Sequence, residues 1–185
     1  MNPTPGSSIF TDQGVFVHHI AWTPTSNDSW KLNFAGCTAG AGCLMRDQNA
    51  IFRAACAAPL KDCESITVAE LTALHHGLEI AVTQGVDYLE VEGDHPIVFQ
   101  LLQGQILPLS SSTETLLEEC IQYFRRFRSL NIRQVKHSVN AVANKIATLS
   151  IGRVEPCYWF DKPPSEITEL LLGDVVGRWV PISDL

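Results

Sequence analysis

Apolar and polar positions change period several times along this chain, and each change marks an element. Residues 30–34 alternate apolar and polar, the period of a strand. Ala39-Gly40-Ala41-Gly42 then supplies a tight turn, 43–46 resume the extended pattern, and Asp47-Gln48-Asn49 turn the chain into a third strand at 51–60, closed by Pro59. Three successive strands on short turns predict an antiparallel meander. At 67–84 the period becomes helical, with Val68, Leu71, Leu74, Leu78, Ala81 and Val82 on one face and Gly85 as the stop. A short strand at 88–91 follows, then a short helix at 97–103 with Pro96 near its first turn, and a loop at 106–112. A second long helix spans 113–128, with Thr113 as its cap and Leu116, Leu117, Cys120, Tyr123, Phe124 and Phe127 inward. Residues 131–137 alternate as a strand, and 140–150 form the last core helix on Val142, Ile146 and Leu149. The order β-β-β-α-β-α-α-β-α is that of an α/β fold: a five-stranded mixed sheet, the meander plus two further strands, flanked by helices.

The ends are of different character. Residues 1–29 are polar and turn-rich with one apolar run at 15–22, and read as an N-terminal extension to a domain at 30–152. Residues 153–185 form a C-terminal tail with the aromatic cluster Tyr158-Trp159-Phe160 and a short helix at 166–172 after Pro163-Pro164; it is expected to dock on the domain as a strap or to extend from it. A length of 185 residues with 45% apolar content suits one core. The sequence has no stretch of the roughly 18–20 apolar residues needed to span a bilayer and no signal-peptide pattern, so an intracellular protein of nucleus or cytoplasm is expected. Six cysteines without zinc-ligand spacing read as reduced thiols.

Net charge is −7, which argues against an extended grip on nucleic acid, yet seven of the thirteen Lys and Arg fall between Cys120 and Val154 with no acid among them. Arg125, Arg126, Arg128, Arg133, Lys136 and Lys145 are the candidate phosphate contacts in that island; a solvated helix face complementing acidic neighbours is the competing reading. The glycines at 36, 40 and 42 lie between strands with no helix following, so they are not a phosphate loop. His75 and His76 are adjacent on a helix and diverge, which reads as helix surface.

Several stretches together resemble the ribonuclease H superfamily, in particular the plant ribonuclease H-like domains related to non-LTR retroelement polyproteins. They are Trp30-Lys31-Leu32-Asn33-Phe34-Ala35-Gly36, Gly42-Cys43-Leu44-Met45-Arg46-Asp47, the helix opening Ala69-Glu70-Leu71, Leu89-Glu90-Val91-Glu92-Gly93-Asp94, and Asn140-Ala141-Val142-Ala143-Asn144. The resemblance runs over about 22–177. Two-metal phosphodiester hydrolysis needs carboxylates from separate elements to hold two divalent ions. In the resembled family four acids do this, and by motif they correspond to Ala35, Glu70, Asp94 and Asn144. Two are degenerate: Ala35 offers no lone pair to bridge ions, and Asn144 brings an oxygen without a charge. Glu70 and Asp94 are left to bind one Mg²⁺ or Mn²⁺ weakly at most, so no cofactor is expected. Only Ser138 and Val139 separate His137 from Asn140, a shorter rim than the family usually has.

The resemblance therefore implies a pseudoenzyme with a degenerate metal site that acts by binding RNA or an RNA/DNA hybrid. One alternative is a protein-interaction scaffold without nucleic-acid affinity. Another is an active hybrid ribonuclease inactivated deliberately by Asp-to-Ala and Asp-to-Asn substitution at 35 and 144.

Overall fold

The computed structural model describes residues 5–25 and 28–184. Its main sheet is built from β3 (Trp30–Cys37), β4 (Gly40–Arg46), β5 (Phe52–Pro59), β6 (Tyr88–Gly93), β7 (Ser129–Gln134) and β8 (Cys157–Phe160), in the order β7-β6-β3-β4-β5-β8. The β3-β4-β5 meander is antiparallel, whereas β6 runs parallel to both β3 and β7. The sheet has one strand more than expected, because the aromatic stretch of the tail pairs with β5, placing Tyr158 opposite Cys56 and Trp159 opposite Ala55.

Helices cover both faces. On one, α1 (Ile66–Thr83) packs Leu71, Leu74 and Leu78 onto Leu32, Phe34, Cys43 and Met45, with α2 (Pro96–Leu102) and α3 (Ser111–Phe124) completing the layer. On the other, Val142 and Ile146 of α4 (Ala141–Leu149) meet Leu44, Ala55 and Ala57. Every residue of β4 is buried, as a central strand covered on both faces requires. The α1 helix begins where Ser65 accepts a hydrogen bond from the Val68 N–H, and it ends before Gly85, whose φ of 70° suits a residue without Cβ. The α3 helix is capped by Ser110, which accepts from the Thr113 N–H; Thr113 itself is buried rather than capping. That helix stops at Phe124, earlier than expected, so Arg125, Arg126 and Arg128 lie at and beyond its end. The strand expected at 131–137 spans Ser129–Gln134, which leaves Lys136 and His137 in the following loop.

The ends of the chain meet. A second sheet has the order β1-β2-β9, from Ser8–Phe10, Phe16–Ile20 and Arg178–Pro181. The Trp22 N–H donates to the Asp174 carbonyl at 2.8 Å, tying the first segment to α5 (Thr168–Val176). Among the described residues no helix is long and apolar enough to cross a membrane.

Candidate functional site

Strands β3 and β6 run side by side in the same direction, so Ala35 near the end of one and Asp94 just past the end of the other come to the same edge of the sheet. That edge, at the carboxyl ends of parallel strands, is where α/β folds place ligands. Two close approaches fix the helices there. A Cβ on Gly36 would lie 2.5 Å from the Glu70 backbone nitrogen, so α1 presses directly on β3 and brings Glu70 to the site. A Cβ on Gly42 would lie 2.2 Å from the Ala147 nitrogen, which lets α4 settle on β4 on the opposite face. All four motif positions, Ala35, Glu70, Asp94 and Asn144, therefore gather around one end of β3.

The carboxylate of Asp94 is surrounded by donors. Its Oδ1 accepts from Asn140 Nδ2 at 2.7 Å, and its Oδ2 is met by His137 Nδ1 at 2.5 Å and by Asn144 Nδ2 at 3.2 Å. Asn140, almost fully buried, also donates to the Phe34 carbonyl at 2.8 Å, so the end of β3, the end of β6 and the start of α4 are sewn together by one amide. Asp94 does not cap α2: the capping position is His95, which makes no side-chain cap bond. An aspartate at 144 would set a second carboxylate against Asp94, and only a cation between them would offset the repulsion. An amide there supplies hydrogen instead of charge.

Glu70 differs from Asp94 in being nearly without partners. It is 3% exposed and its Oε2 has no hydrogen-bond partner. Burial pushes its carboxyl up to about 8, a hydrogen bond from the Gly36 N–H pulls the other way, and the charge of Asp94 adds to the rise. At neutral pH Glu70 is mostly protonated. Ala35, fully buried, has no donor atom. Of the four motif positions only Glu70 and Asp94 carry a carboxylate, while Ala35 has no ligand atom and Asn144 an amide, a donor set that does not fit a pair of divalent ions.

Beside the site lies a charged cluster that sequence reasoning did not single out. Lys31 Nζ donates to Glu92 Oε1 at 2.8 Å and to the Thr23 carbonyl at 2.7 Å, while Asn33 Nδ2 donates to Glu92 Oε2 at 3.0 Å. Arg46 reaches Asn33 Oδ1 at 3.1 Å and Asp174 Oδ2 at 2.9 Å, and Arg133 also holds Glu92. Burial alone would push the Glu92 carboxyl up, but Lys31 and Arg133 prevail and hold it below its ordinary range. The alternation that revealed β3 puts Lys31 and Asn33 on one face, where polar residues read as solvent-facing. Trp22, α5 and β9 cover that face instead, and nothing local in the sequence announces the cover.

The basic residues are not brought into one patch. Arg125 and Arg126 end a helix on the α1 side of the sheet, whereas Lys145 stands on α4, on the other side. Arg128 pairs with Asp87 at 3.3 Å, and Arg133 is held by Glu92. Lys136 and Lys145 are exposed and are the sequence neighbours of His137 and Asn144, two of the residues that touch Asp94; Lys136 lines a recess with Thr23, Arg133 and Val139.

Known proteins place this geometry. No curated protein matches the chain. Among solved structures, the RNase H1 of the halophilic archaeon Halobacterium salinarum NRC-1 superposes with a TM-score of 0.59 at 19% identity, over 66% of this chain and 96% of that one. The N-terminal RNase H domain of a Mycobacterium tuberculosis protein gives 0.61 at 18%, over 66% and 93%. LC11-RNase H1, isolated from compost by a metagenomic approach and solved in complex with an RNA/DNA hybrid, gives 0.58 at 17%, over 66% and 95%. At such identities these likenesses establish the fold. The sequence profile of the family described as reverse transcriptase-like matches residues 32–150, a stretch that holds all four motif positions and more than half the chain. The protein thus belongs to the reverse transcriptase-like family, as an RNase H-like domain.

Proposed function

We propose that this protein is a non-cleaving RNase H-like domain that binds RNA or an RNA/DNA hybrid through the rim of a disarmed metal site. One observation carries the reading: the Asn140 and Asn144 amides and the His137 ring close around Asp94, satisfying its carboxylate without a cation. With no carboxylate at Ala35 or Asn144, the site keeps two of the four carboxylates by motif, where two Mg²⁺ ions depend on several. Affinity for hybrid is supported by the LC11-RNase H1 complex, solved on the same fold, and by the exposed cations Lys136 and Lys145, next in sequence to His137 and Asn144. A protein-interaction scaffold is the second reading, favoured by the net charge of −7 and by the pairing of Arg128 and Arg133 with acids of the chain itself.

The test compares the wild type with the double variant Ala35→Asp, Asn144→Asp on a hybrid with a labelled RNA strand, with and without Mg²⁺. The wild type should bind the hybrid and leave it intact; the double variant should gain Mg²⁺-dependent cleavage or, short of that, a melting temperature raised by Mg²⁺. Chelator-sensitive cleavage by the wild type would overturn the disarmed site. Absence of hybrid binding at low salt would leave the scaffold reading in place.

A further inference from the structure

We propose that His75, His76 and Glu79 form a binding site for a borderline divalent cation of the zinc class, on the flank of α1 away from the Asp94 edge. The two histidines do diverge: His75 turns toward α3, with its Nε2 3.3 Å from Glu119 Oε2 and its ring 5.3 Å from that of Tyr123, and His76 turns toward the edge strand β8, with Nδ1 3.2 Å from the Tyr158 hydroxyl. Glu79 resolves the divergence. It lies four residues after His75 and three after His76, the two spacings that share a helix face, and its carboxylate reaches between them. One ligand atom from each of the three residues lies within 4.8 Å of the others.

Tetrahedral zinc with bonds of about 2.0–2.1 Å needs ligand atoms roughly 3.4 Å apart. Reaching that spacing takes rotation of both imidazoles toward each other as well as of Glu79, whose side chain is 50% exposed. Two imidazoles and one carboxylate are the donor set that suits a borderline ion rather than Mg²⁺ or Ca²⁺, which prefer oxygen throughout. Water supplies the fourth ligand, while Glu119 lies against His75 Nε2 at 3.3 Å. Arg126 lines the same recess as His75 and Glu119, and the two carboxylates outweigh its charge.

The experiment is a Zn²⁺ titration of the full chain, stripped with chelator, followed by histidine ring ¹⁵N–¹H spectra and by thermal melting. His75 and His76 resonances should shift together and saturate at one equivalent, with a rise in melting temperature. Glu79→Gln, at an exposed position that the fold does not need, should weaken binding at least about tenfold, the loss typical of even an outer partner of a metal site. A His75→Asn, His76→Asn double variant that melts like the wild type in chelator should lose the zinc-dependent rise. Unmoved histidine resonances, or wild-type affinity in both variants, would overturn the site and assign any zinc uptake to the half-buried thiols Cys37, Cys63 and Cys157. The nucleic-acid reading stands or falls separately, because hybrid binding and cleavage are measured on zinc-free protein.

Discussion

Asn144 and Glu70 depart from an ordinary pair of ionised carboxylates in different ways, one by chemistry and one by surroundings. Asn144 has the shape of aspartate and presents an amide to Asp94 at 3.2 Å. Glu70 keeps its carboxyl but is held without a partner at Oε2, and burial raises it to about 8 from an ordinary 4.5. The consequence for stability has a definite sign. Below about pH 4.5 Glu70 is protonated in both the folded and the unfolded chain and costs nothing. Between 4.5 and 8 the unfolded chain releases the proton while the folded one keeps it, so stability falls as pH rises, by up to about 5 kcal/mol in total. In Glu70→Gln that titration is absent. Urea unfolding of variant and wild type between pH 4.5 and 8.5 should show the difference moving steadily in the variant's favour; a difference flat across this range would mean that Glu70 is ionised in the fold.

At the scale of elements, the tail does structural work that its proline-rich, aromatic composition only hints at. The β8 strand lengthens the sheet, β9 pairs with β2, and α5 lowers Asp174 onto Arg46, a guanidinium only 2% exposed. Breaking one side of such a pair strands a buried charge, at a cost of about 3–5 kcal/mol, whereas replacing both partners by apolar groups is often close to neutral. Asp174→Ala should therefore lower unfolding free energy by about 3 kcal/mol or more, and Arg46→Met placed on top of it should recover most of the loss. Chemical denaturation of the two variants checks this. Equal damage from the single and the double change would show that Arg46 is held chiefly by Asn33 and by the ring of Trp22, 5.5 Å from the guanidinium. The close contact of α4 with β4 is the other element-level constraint: Gly42→Ala should cost several kcal/mol or abolish folding, since the added methyl meets backbone rather than a side chain that can swing aside.

For the molecule as a whole, charge is distributed so that few cations remain for phosphate. Arg128 and Arg133 are engaged within the chain, Arg125 and Arg126 stand on the α1 side, and Lys136 and Lys145 are exposed beside His137 and Asn144 in the sequence. Hybrid binding through the rim of the site should show a shallow salt dependence, a log–log slope of roughly −2 to −3, since each phosphate neutralised contributes about −0.9. Fluorescence anisotropy at several salt concentrations measures it; a slope beyond about −5 would require the paired arginines to leave their acids. The strand and helix order from Trp30 to Ser150 was legible because periodicity is local: a strand repeats every two residues and a helix every 3.6, whatever lies around them. So were the four motif positions, since the identity of a side chain is written in the chain. The sixth strand was missed because four residues of a tail carry too little pattern to reveal a partner a hundred residues away. The sequence by itself determined that Ala35 and Asn144 stand where the resembled motif has acids, and that Glu70 and Asp94 are acids. Only the tertiary structure decided that Asn140, Asn144 and His137 close around Asp94, that Glu70 is buried with an unpartnered oxygen, and that Glu79 lies within reach of two diverging histidines. Each of these depends on distance and burial between segments, and electrostatics in a fold is set by what the packing brings near.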